Sequence, residues 1–82
     1  MKRLGFVGIV IESREANIAE VNKIISQFGD SIVARMGVPY QEKSCSVITL
    51  VVDMNTDTLG RFTGKLGNCP QVSVKSALSK SK

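Results

Sequence analysis

The sequence predicts an α+β fold in which four strands form one antiparallel sheet and two helices cover one face of it. Along the 82 residues the apolar period changes from two to about three and a half and back, twice, which indicates the order strand, helix, strand, strand, helix, strand. Right-handed crossovers in both strand–helix–strand units give the strand order 4-1-3-2. This is a ferredoxin-like βαββαβ arrangement.

The first strand is predicted from Arg3 to Glu12, and it is apolar on both faces. Successive side chains of a strand point to opposite faces of the sheet. One face carries Leu4, Phe6 and Val10, and the other carries Val7, Ile9 and Ile11. Helices cover only one of these two sets, so the other set needs a different cover.

The first helix is predicted from about Glu15 to Phe28. Ser13 suits the N-cap, because its hydroxyl oxygen accepts a hydrogen bond from a backbone N–H group of the first turn. Gly29 suits the C-terminal end of the helix, because glycine readily adopts the left-handed conformation in which many helices end. The apolar stripe of this helix is Ile18, Val21, Ile25 and Phe28, with Ile24 beside them.

The second and third strands are predicted from Ser31 to Val38 and from Cys45 to Asp53. The third repeats the two-faced apolar pattern of the first between Val47 and Val52, which places both strands at the centre of the sheet. Gly37 and Pro39 are expected to fix the exit of the chain from the second strand.

The second helix is predicted from Asp57 to Leu66, with Asn55 or Thr56 as its cap. Gly60 and Gly64 share a face of this helix, and each costs up to about 1 kcal/mol relative to alanine. We expect them to pack closely on the sheet or on a neighbouring chain. This interpretation is favoured over a ligand cradle, which needs its glycines in a loop.

The fourth strand is predicted from Gln71 to Ala77. Strands two and four carry the polar residues Arg35, Ser73 and Lys75, as edge strands do. Nothing within the sequence reads as a linker or a low-complexity segment. Residues 1–78 are therefore predicted to form a single domain, and residues 79–82 a loose C-terminal tail.

The alternation of the strands predicts one covered and one open face of the sheet. The helix side is predicted to hold Val7, Ile9, Ile11, Ile32, Ala34, Ile48, Leu50, Val52, Val72 and Val74. The open side is predicted to hold Phe6, Gly8, Val10, Val33, Val47, Thr49 and Val51. A register slip of one residue exchanges the two sets, and either way one apolar face stays uncovered. We expect this face to join copies of the chain in a dimer or tetramer.

The formal charge of +4 has two interpretations. Lys2 and Arg3 lie near one terminus, and Lys75, Lys80 and Lys82 lie near the other. Solvated termini are favoured, because polyanion binders concentrate basic residues on one face and single-strand binders need more aromatic residues than this chain has. A nucleic-acid-binding accessory protein that uses the basic termini is the alternative.

No metal site, cofactor or membrane span is expected. The chain has no histidine, and Cys45 and Cys69 lack the paired spacing of a zinc site. A metal or redox pair formed by these two cysteines is a minor alternative. With two cysteines, no secretory segment and no helix long enough to cross a bilayer, the protein is predicted to be cytoplasmic with reduced thiols.

No catalytic constellation is found, so the chain is predicted not to be an enzyme. It has no glycine-rich phosphate loop or dinucleotide fingerprint, and its acid–base groups are scattered. The candidate ligand-binding residues are Arg35 and Tyr40, around the connection of strands two and three, and Arg14, in the turn before the first helix. A rigid loop with Tyr40 packed on its own domain is the favoured interpretation of the connection.

Four segments resemble the family of iron-only hydrogenase system regulators: Gly5 to Ala16, Gly29 to Tyr40, Thr63 to Gly67 and Val72 to Leu78. These proteins are similar to ACT domains and to the C-terminal domain of nickel-responsive regulators, which are ferredoxin-like folds that associate through their sheets. The resemblance implies an ACT-like domain that regulates the expression or maturation of a hydrogenase in an anaerobic bacterium. It also implies a DNA-binding or hydrogenase-maturation partner protein.

The chain lacks the ligand-binding residues of two of these related groups of proteins. Amino-acid-binding ACT domains tend to have an Asp-Arg-Pro-Gly-like turn after strand one, where this chain has Ser13 to Ala16. The nickel sites of the related regulators need histidines, which this chain lacks. The residues predict a non-catalytic module that self-associates through its sheet face and senses a small effector, and the resemblance implies that its role is regulatory and lies in transcriptional regulation.

Overall fold

A computed structural model describes residues 1–12 and 18–80 of the chain. The strands are β1 (Arg3–Ile11), β2 (Ile32–Tyr40), β3 (Cys45–Met54) and β4 (Val72–Leu78), and the helices are α1 (Ile18–Gln27) and α2 (Thr56–Gly67). All strand pairs are antiparallel. The sheet order β2-β3-β1-β4 is the predicted 4-1-3-2 order read from the other edge, so the predicted fold class is confirmed.

Helix α1 ends differently from the prediction. Its last residue is Gln27, and the chain continues into a short 3-10 turn, Gly29–Ser31. Among the described residues no glycine has a positive φ, so the left-handed stop expected at Gly29 is wrong. The predicted cap Ser13 and the predicted helix start at Glu15 lie outside the described residues.

Strand β2 runs beyond its predicted end and through Pro39 to Tyr40. The expectation that Gly37 and Pro39 direct the chain out of the strand is therefore wrong. An edge strand tolerates proline, because an N–H group that points away from the sheet is not needed for the hydrogen-bond ladder. The chain turns instead after Tyr40, in a 3-10 turn at Gln41–Lys43 followed by Ser44, whose φ is 53°.

An irregularity at the start of β2 reverses the faces of the residues that follow it. Ile32 pairs with Val52 but Ala34 pairs with Val51, so Val33 is an extra residue in the ladder. The extra residue shifts the alternation by one position. Ala34 therefore lies on the open side of the sheet, and its predicted place on the helix side is wrong.

The hydrophobic core lies between the two helices and one face of the sheet. Six of the strand residues predicted for the helix side are buried there, and Ile32, Val72 and Val74 pack against the core from its margin. Phe62 of α2 is fully buried, and its ring lies 4.8 Å from the ring of Phe28. The buried strand residues are Val7, Ile9, Ile11, Ile48, Leu50, Val52 and Met54, and the buried helix residues are Val21, Ile24, Ile25, Phe62 and Leu66.

Gly5→Ala is expected to lower the free energy of unfolding by about 1–3 kcal/mol, as other overpacking substitutions do. A Cβ atom at Gly5 would collide with the carbonyl oxygen of Ala77 and would lie 2.7 Å from Leu78 Cδ2 and 2.8 Å from Leu78 Cα. The backbone of β4 must move to make room. Urea unfolding measures the loss.

Gly37→Ala is the matched control for this change, because it also adds a methyl group to a strand glycine. The nearest atom to a Cβ at Gly37 is Ile48 Cγ1 at 3.9 Å, an ordinary contact distance. We expect its effect to stay within about 0.5 kcal/mol. Equal losses for the two variants would contradict the proposed role of β4 packing.

Helix α2 begins at a side-chain cap, as predicted. The side chain of Asn55 accepts a hydrogen bond of 2.8 Å from the backbone N–H of Thr58. Gly60 and Gly64 are exposed, and no atom lies within 4 Å of a Cβ built at either one. Close packing of these glycines on the sheet is therefore wrong as a prediction, because the opposite face of α2 carries Phe62 and Leu66 into the core.

Gly60→Ala and Gly64→Ala are expected to stabilise the protein, each by up to about 1 kcal/mol, because alanine has the higher helix propensity. The measurement is the urea midpoint of each single variant and of the double variant. The same variants should leave the assembly state unchanged. A loss of assembly would show that this helix face meets a neighbouring chain.

Candidate functional site

The open side of the sheet carries an apolar surface formed by all four strands. The pairing register places Phe6 beside Val51 and Val10 beside Val47, with Gly8 and Thr49 between these two pairs. We call this surface the open face. Its members are Leu4, Phe6, Gly8 and Val10 from β1, Ala34, Met36, Val38 and Tyr40 from β2, Cys45, Val47, Thr49, Val51 and Asp53 from β3, and Ser73, Lys75 and Ala77 from β4.

Six of the seven residues predicted for the open side lie on the open face: Phe6, Gly8, Val10, Val47, Thr49 and Val51. The seventh, Val33, is the extra residue of β2 and is 62% exposed. Met36 and Val38 belong to the open face and were missed. The signal for them was their alternation with Arg35 and Gly37, but the shift at Val33 hid the side to which they point.

Large apolar side chains of the open face stay in contact with solvent. Met36 is 63% exposed, Phe6 48% and Val38 47%, whereas Val7 and Leu50 on the opposite side are fully buried. The charged groups that the strands place on this side are Lys75 in β4 and, at one end of β3, Asp53. An apolar surface of this extent is typical of an interaction site.

A shallow groove of about 390 Å³ crosses one end of the open face. Phe6 and Val51 line it together with Leu4 and Ala77. The backbone N–H of Ser79 donates a hydrogen bond of 2.7 Å to the carbonyl oxygen of Leu4, which closes this end of the sheet. The same bond brings the two basic terminal segments together, because Lys2 and Arg3 precede Leu4 while Lys80 follows Ser79 in the sequence.

Arg35 and Tyr40 lie on opposite sides of the sheet. Arg35 pairs with Leu50 on the helix side, and its Nη2 donates a hydrogen bond of 3.2 Å to Asn22 Oδ1 of α1. Tyr40 lies on the open face, where its hydroxyl group donates a hydrogen bond of 3.0 Å to Glu42 Oε1. The structure therefore does not bring these two predicted ligand residues together, and Arg14 lies outside the described residues.

Arg35 borders a second, smaller groove on the helix side. This groove has a volume of about 220 Å³ and lies between α1 and the strands β2 and β3. Asn22 and Ser46 give it polar walls, and Ile18 and Pro39 give it apolar ones. Its volume is below the range of about 300–1,000 Å³ that is typical of small-molecule sites.

The two cysteines lie in different environments. Cys45 begins β3 on the open side of the sheet and is partly exposed, whereas Cys69 follows α2 and is buried in the core. Burial raises the pKa of the Cys69 thiol, and the nearby carboxylate of Glu20 raises this pKa further. Both thiols are free, and among residues 1–12 and 18–80 no three His, Cys, Asp or Glu side chains are grouped as a metal site.

One known protein family matches most of the chain. Residues 3–76 match the TM1266-like family, which is described as "Iron-only hydrogenase system regulator, putative". The chain belongs to the TM1266-like family. This membership confirms the resemblance seen in the sequence, and the family description names a regulator rather than an enzyme.

Solved structures include a close relative of this TM1266-like chain. The uncharacterized protein TM1266 from Thermotoga maritima is 36% identical, has a TM-score of 0.93, and is matched over 98% of this chain and 100% of its own. SnoaB, a cofactor-independent oxygenase from Streptomyces nogalater, is 12% identical over 100% of this chain and 95% of its own, with a TM-score of 0.48. A likeness at that level supports no conclusion about fold or chemistry. No curated protein matches the chain.

Within residues 1–12 and 18–80, this TM1266-like protein has no helix that is both long and apolar enough to cross a bilayer.

Proposed function

We propose that this TM1266-like chain is a non-catalytic regulatory module of an iron-only hydrogenase system, and that it works as a homo-oligomer joined through the open face. One observation supports this proposal above the others. The described helices pack their apolar stripes on one side of the sheet, and Phe6, Met36 and Val38 remain about half exposed on the other side.

A second copy of the chain is the occupant that fits the size of the open face. Four strands and about seven residues of each span a projected area of roughly 20 Å by 23 Å. Two such faces together have roughly 900 Å² of projected area, which is close to the threshold of about 1,000 Å² that a specific interface should clear. Few charges oppose such a contact, because the strand residues with a charge on this side are Lys75 in β4 and Asp53 near the end of β3.

The absence of catalysis is supported by the polar groups of the described chain. None of the polar or charged side chains in this part of the protein is buried. Cys69 is the described group whose pKa clearly departs from its usual value, and its thiol points into the core. Catalytic sites instead concentrate charged groups with shifted pKa values in a cleft.

Regulation is proposed to act through a partner protein, either a DNA-binding protein or a hydrogenase-maturation protein. The apolar stripes of α1 and α2 are both used in the core, at Val21, Ile25, Phe62 and Leu66. The two helices of a helix-turn-helix motif follow each other directly in the sequence, whereas β2 and β3 separate α1 from α2. The described helices therefore favour a protein partner over direct sequence reading.

Effector binding is proposed at the groove beside Arg35, as the finer part of this function. A guanidinium group suits a small carboxylate or phosphate, because its donors match two oxygen atoms of the anion. Asn22 and Ser46 offer further polar groups in the same groove. Tyr40 is separated from this groove by the sheet, and we assign it to the open face instead.

Native mass spectrometry of freshly purified protein tests the proposal directly. The expected mass is at least twice the 8.9 kDa of one chain. An added mass that disappears in an Arg35→Gln variant would support the effector groove. A monomer at micromolar concentration, with no higher species in a matching light-scattering experiment, would contradict self-association.

The regulatory role has a separate test in the host cell. Deletion of the gene is expected to change the cellular level of active iron-only hydrogenase, and expression of the wild-type chain should reverse the change. A variant that folds but does not assemble should fail to reverse it. Unchanged hydrogenase levels after deletion would contradict the regulatory role.

Nucleic-acid binding by the basic termini is a second candidate, and one contact favours it. The hydrogen bond between Ser79 and Leu4 gathers residues of both terminal segments at one end of the sheet. Binding to generic duplex DNA should then weaken steeply as salt rises, with a slope that reports the number of phosphates neutralised. Absence of binding at low salt would exclude this function.

A further inference from the structure

Gly8 lies in the middle of the open face, and contacts within its own chain do not explain why it is a glycine. It pairs with Thr49 on one side and with Lys75 on the other. Its φ is not positive, and a Cβ built on it would meet only the backbone oxygen of Lys75, at 3.8 Å. A side chain therefore fits here, although glycine weakens the interior of a strand.

Gly5, in the same strand, has different surroundings from Gly8. A Cβ at Gly5 would collide with the backbone of β4, so the protomer itself requires that glycine. A Cβ at Gly8 meets no such obstacle. A strand glycine without a cause inside the protomer is typical of a place where another molecule comes close.

The surroundings of Gly8 form a depression with an apolar projection beside it. No side-chain atom from outside the adjoining residues of β1 lies within 4 Å of the Cβ position, so the side chains of Lys75 and Thr49 leave at least the space of a methyl group above Gly8 free. Phe6, the neighbour of Gly8 on the same face of β1, is 48% exposed. The hole and the projection are about 6.6 Å apart along the strand.

We propose that the depression over Gly8 receives the Phe6 ring of a second copy of the chain. This inference rests on the proposed assembly through the open face. Consider a two-fold axis that runs between the two sheets, parallel to them and perpendicular to β1, at the level of Val7. It places Phe6 of each copy opposite Gly8 of the other, so each copy gives one ring and receives one. The contact is reciprocal and closes at two chains, which is why a second copy is favoured over another protein.

A double-mutant cycle of Gly8→Val and Phe6→Ala tests the contact, with the dissociation constant measured by analytical ultracentrifugation. Gly8→Val should raise this constant by at least about a hundredfold, because the valine fills the space of the ring; Gly8→Ala should raise it by at least about tenfold. Circular dichroism should show that both variants remain folded. In the double variant, Gly8→Val should cost far less than it does alone, because the ring that it blocks is gone.

Gly37→Val is the matched control, since it places the same side chain on a strand glycine that has space and lies on the helix side. Its dissociation constant should equal that of the wild type. An unchanged constant for Gly8→Val would overturn the contact, and so would additive effects in the cycle. If Val47→Asp still separates the chains in that case, the assembly through the open face stands; if wild-type protein is monomeric, both proposals fail together.

Discussion

Val47→Asp is expected to convert the assembly into folded monomers. Val47 lies between Val10 and Val38 in the open face and is 39% exposed in the protomer, so its neighbours there are apolar. In a face-to-face assembly a carboxylate at this position would be removed from water without a cationic partner. Such a burial costs at least about 3 kcal/mol, which corresponds to more than about a hundredfold in the dissociation constant.

The fold of the protomer should survive Val47→Asp, because the residue points away from the core. Circular dichroism checks the fold, and light scattering during gel filtration checks the mass. Ser26→Asp is the charge-matched control, since it adds one negative charge to an exposed position of α1. A folded Val47→Asp protein with the same mass as the wild type would contradict an interface at this position.

Phe62→Ala is expected to remove about 3–5 kcal/mol from the free energy of unfolding. The Phe62 ring is fully buried and contacts Phe28, whose ring is 4.8 Å away at an angle of 45°. It therefore joins α2 to the segment that follows α1. Since small domains have about 5–15 kcal/mol of stability in total, this loss is a large share of it, and the variant should unfold at a markedly lower urea concentration.

Urea unfolding of Phe62→Ala is best measured in the Val47→Asp background, because the stability of an oligomer depends on protein concentration. Phe6→Ala in the same background is the matched control. It removes the same ring from a position that is about half exposed, so its cost should stay within about 1 kcal/mol. Equal losses for the two variants would show that Phe62 is not the anchor of the core.

The likeness to the Thermotoga maritima protein makes the open face a feature to test across the TM1266-like family. The two chains align over almost their whole lengths with a TM-score of 0.93, so the sheet is present in both. If assembly through this face is the basis of regulation, a charge at the position of Val47 should separate the subunits in the relative as well. The same light-scattering experiment on both proteins decides this.

The central strands could be predicted from the sequence in detail because their patterns are long and regular. In β1 and β3 the side chains on both sides of the strand are mostly apolar, and the burial of Val7, Ile9, Leu50 and Val52 follows the alternation of the helix side. The helical stripe that contains Phe62 and Leu66 was equally clear. Local periodicity is sufficient wherever a strand or helix packs against the core over its full length.

The edge strand β2 was less predictable, and so were the residues that it contributes to the open face. β2 gains an extra residue at Val33, and this shift moved Ala34 to the open face and Arg35 to the helix side. The pattern of a single strand does not reveal such a shift, because it arises from hydrogen bonds to the neighbouring strand. The separation of Arg35 from Tyr40 has another cause: β2 continues through Pro39 to Tyr40, and two residues five positions apart in one strand lie on opposite sides of the sheet.

The sequence by itself determined that this chain forms a four-stranded sheet with two helices on one face and an uncovered apolar surface on the other. Side-chain periodicity is a local property of the chain, so the sequence is sufficient to show it. Only the tertiary structure decided which residues share that face and which glycine is required. Gly5 and Gly8 look alike in the sequence. The backbone of β4 would collide with a Cβ atom at Gly5, whereas it stays at an ordinary contact distance from a Cβ atom at Gly8. Distances between strands determine that difference, and they exist only once the sheet has formed.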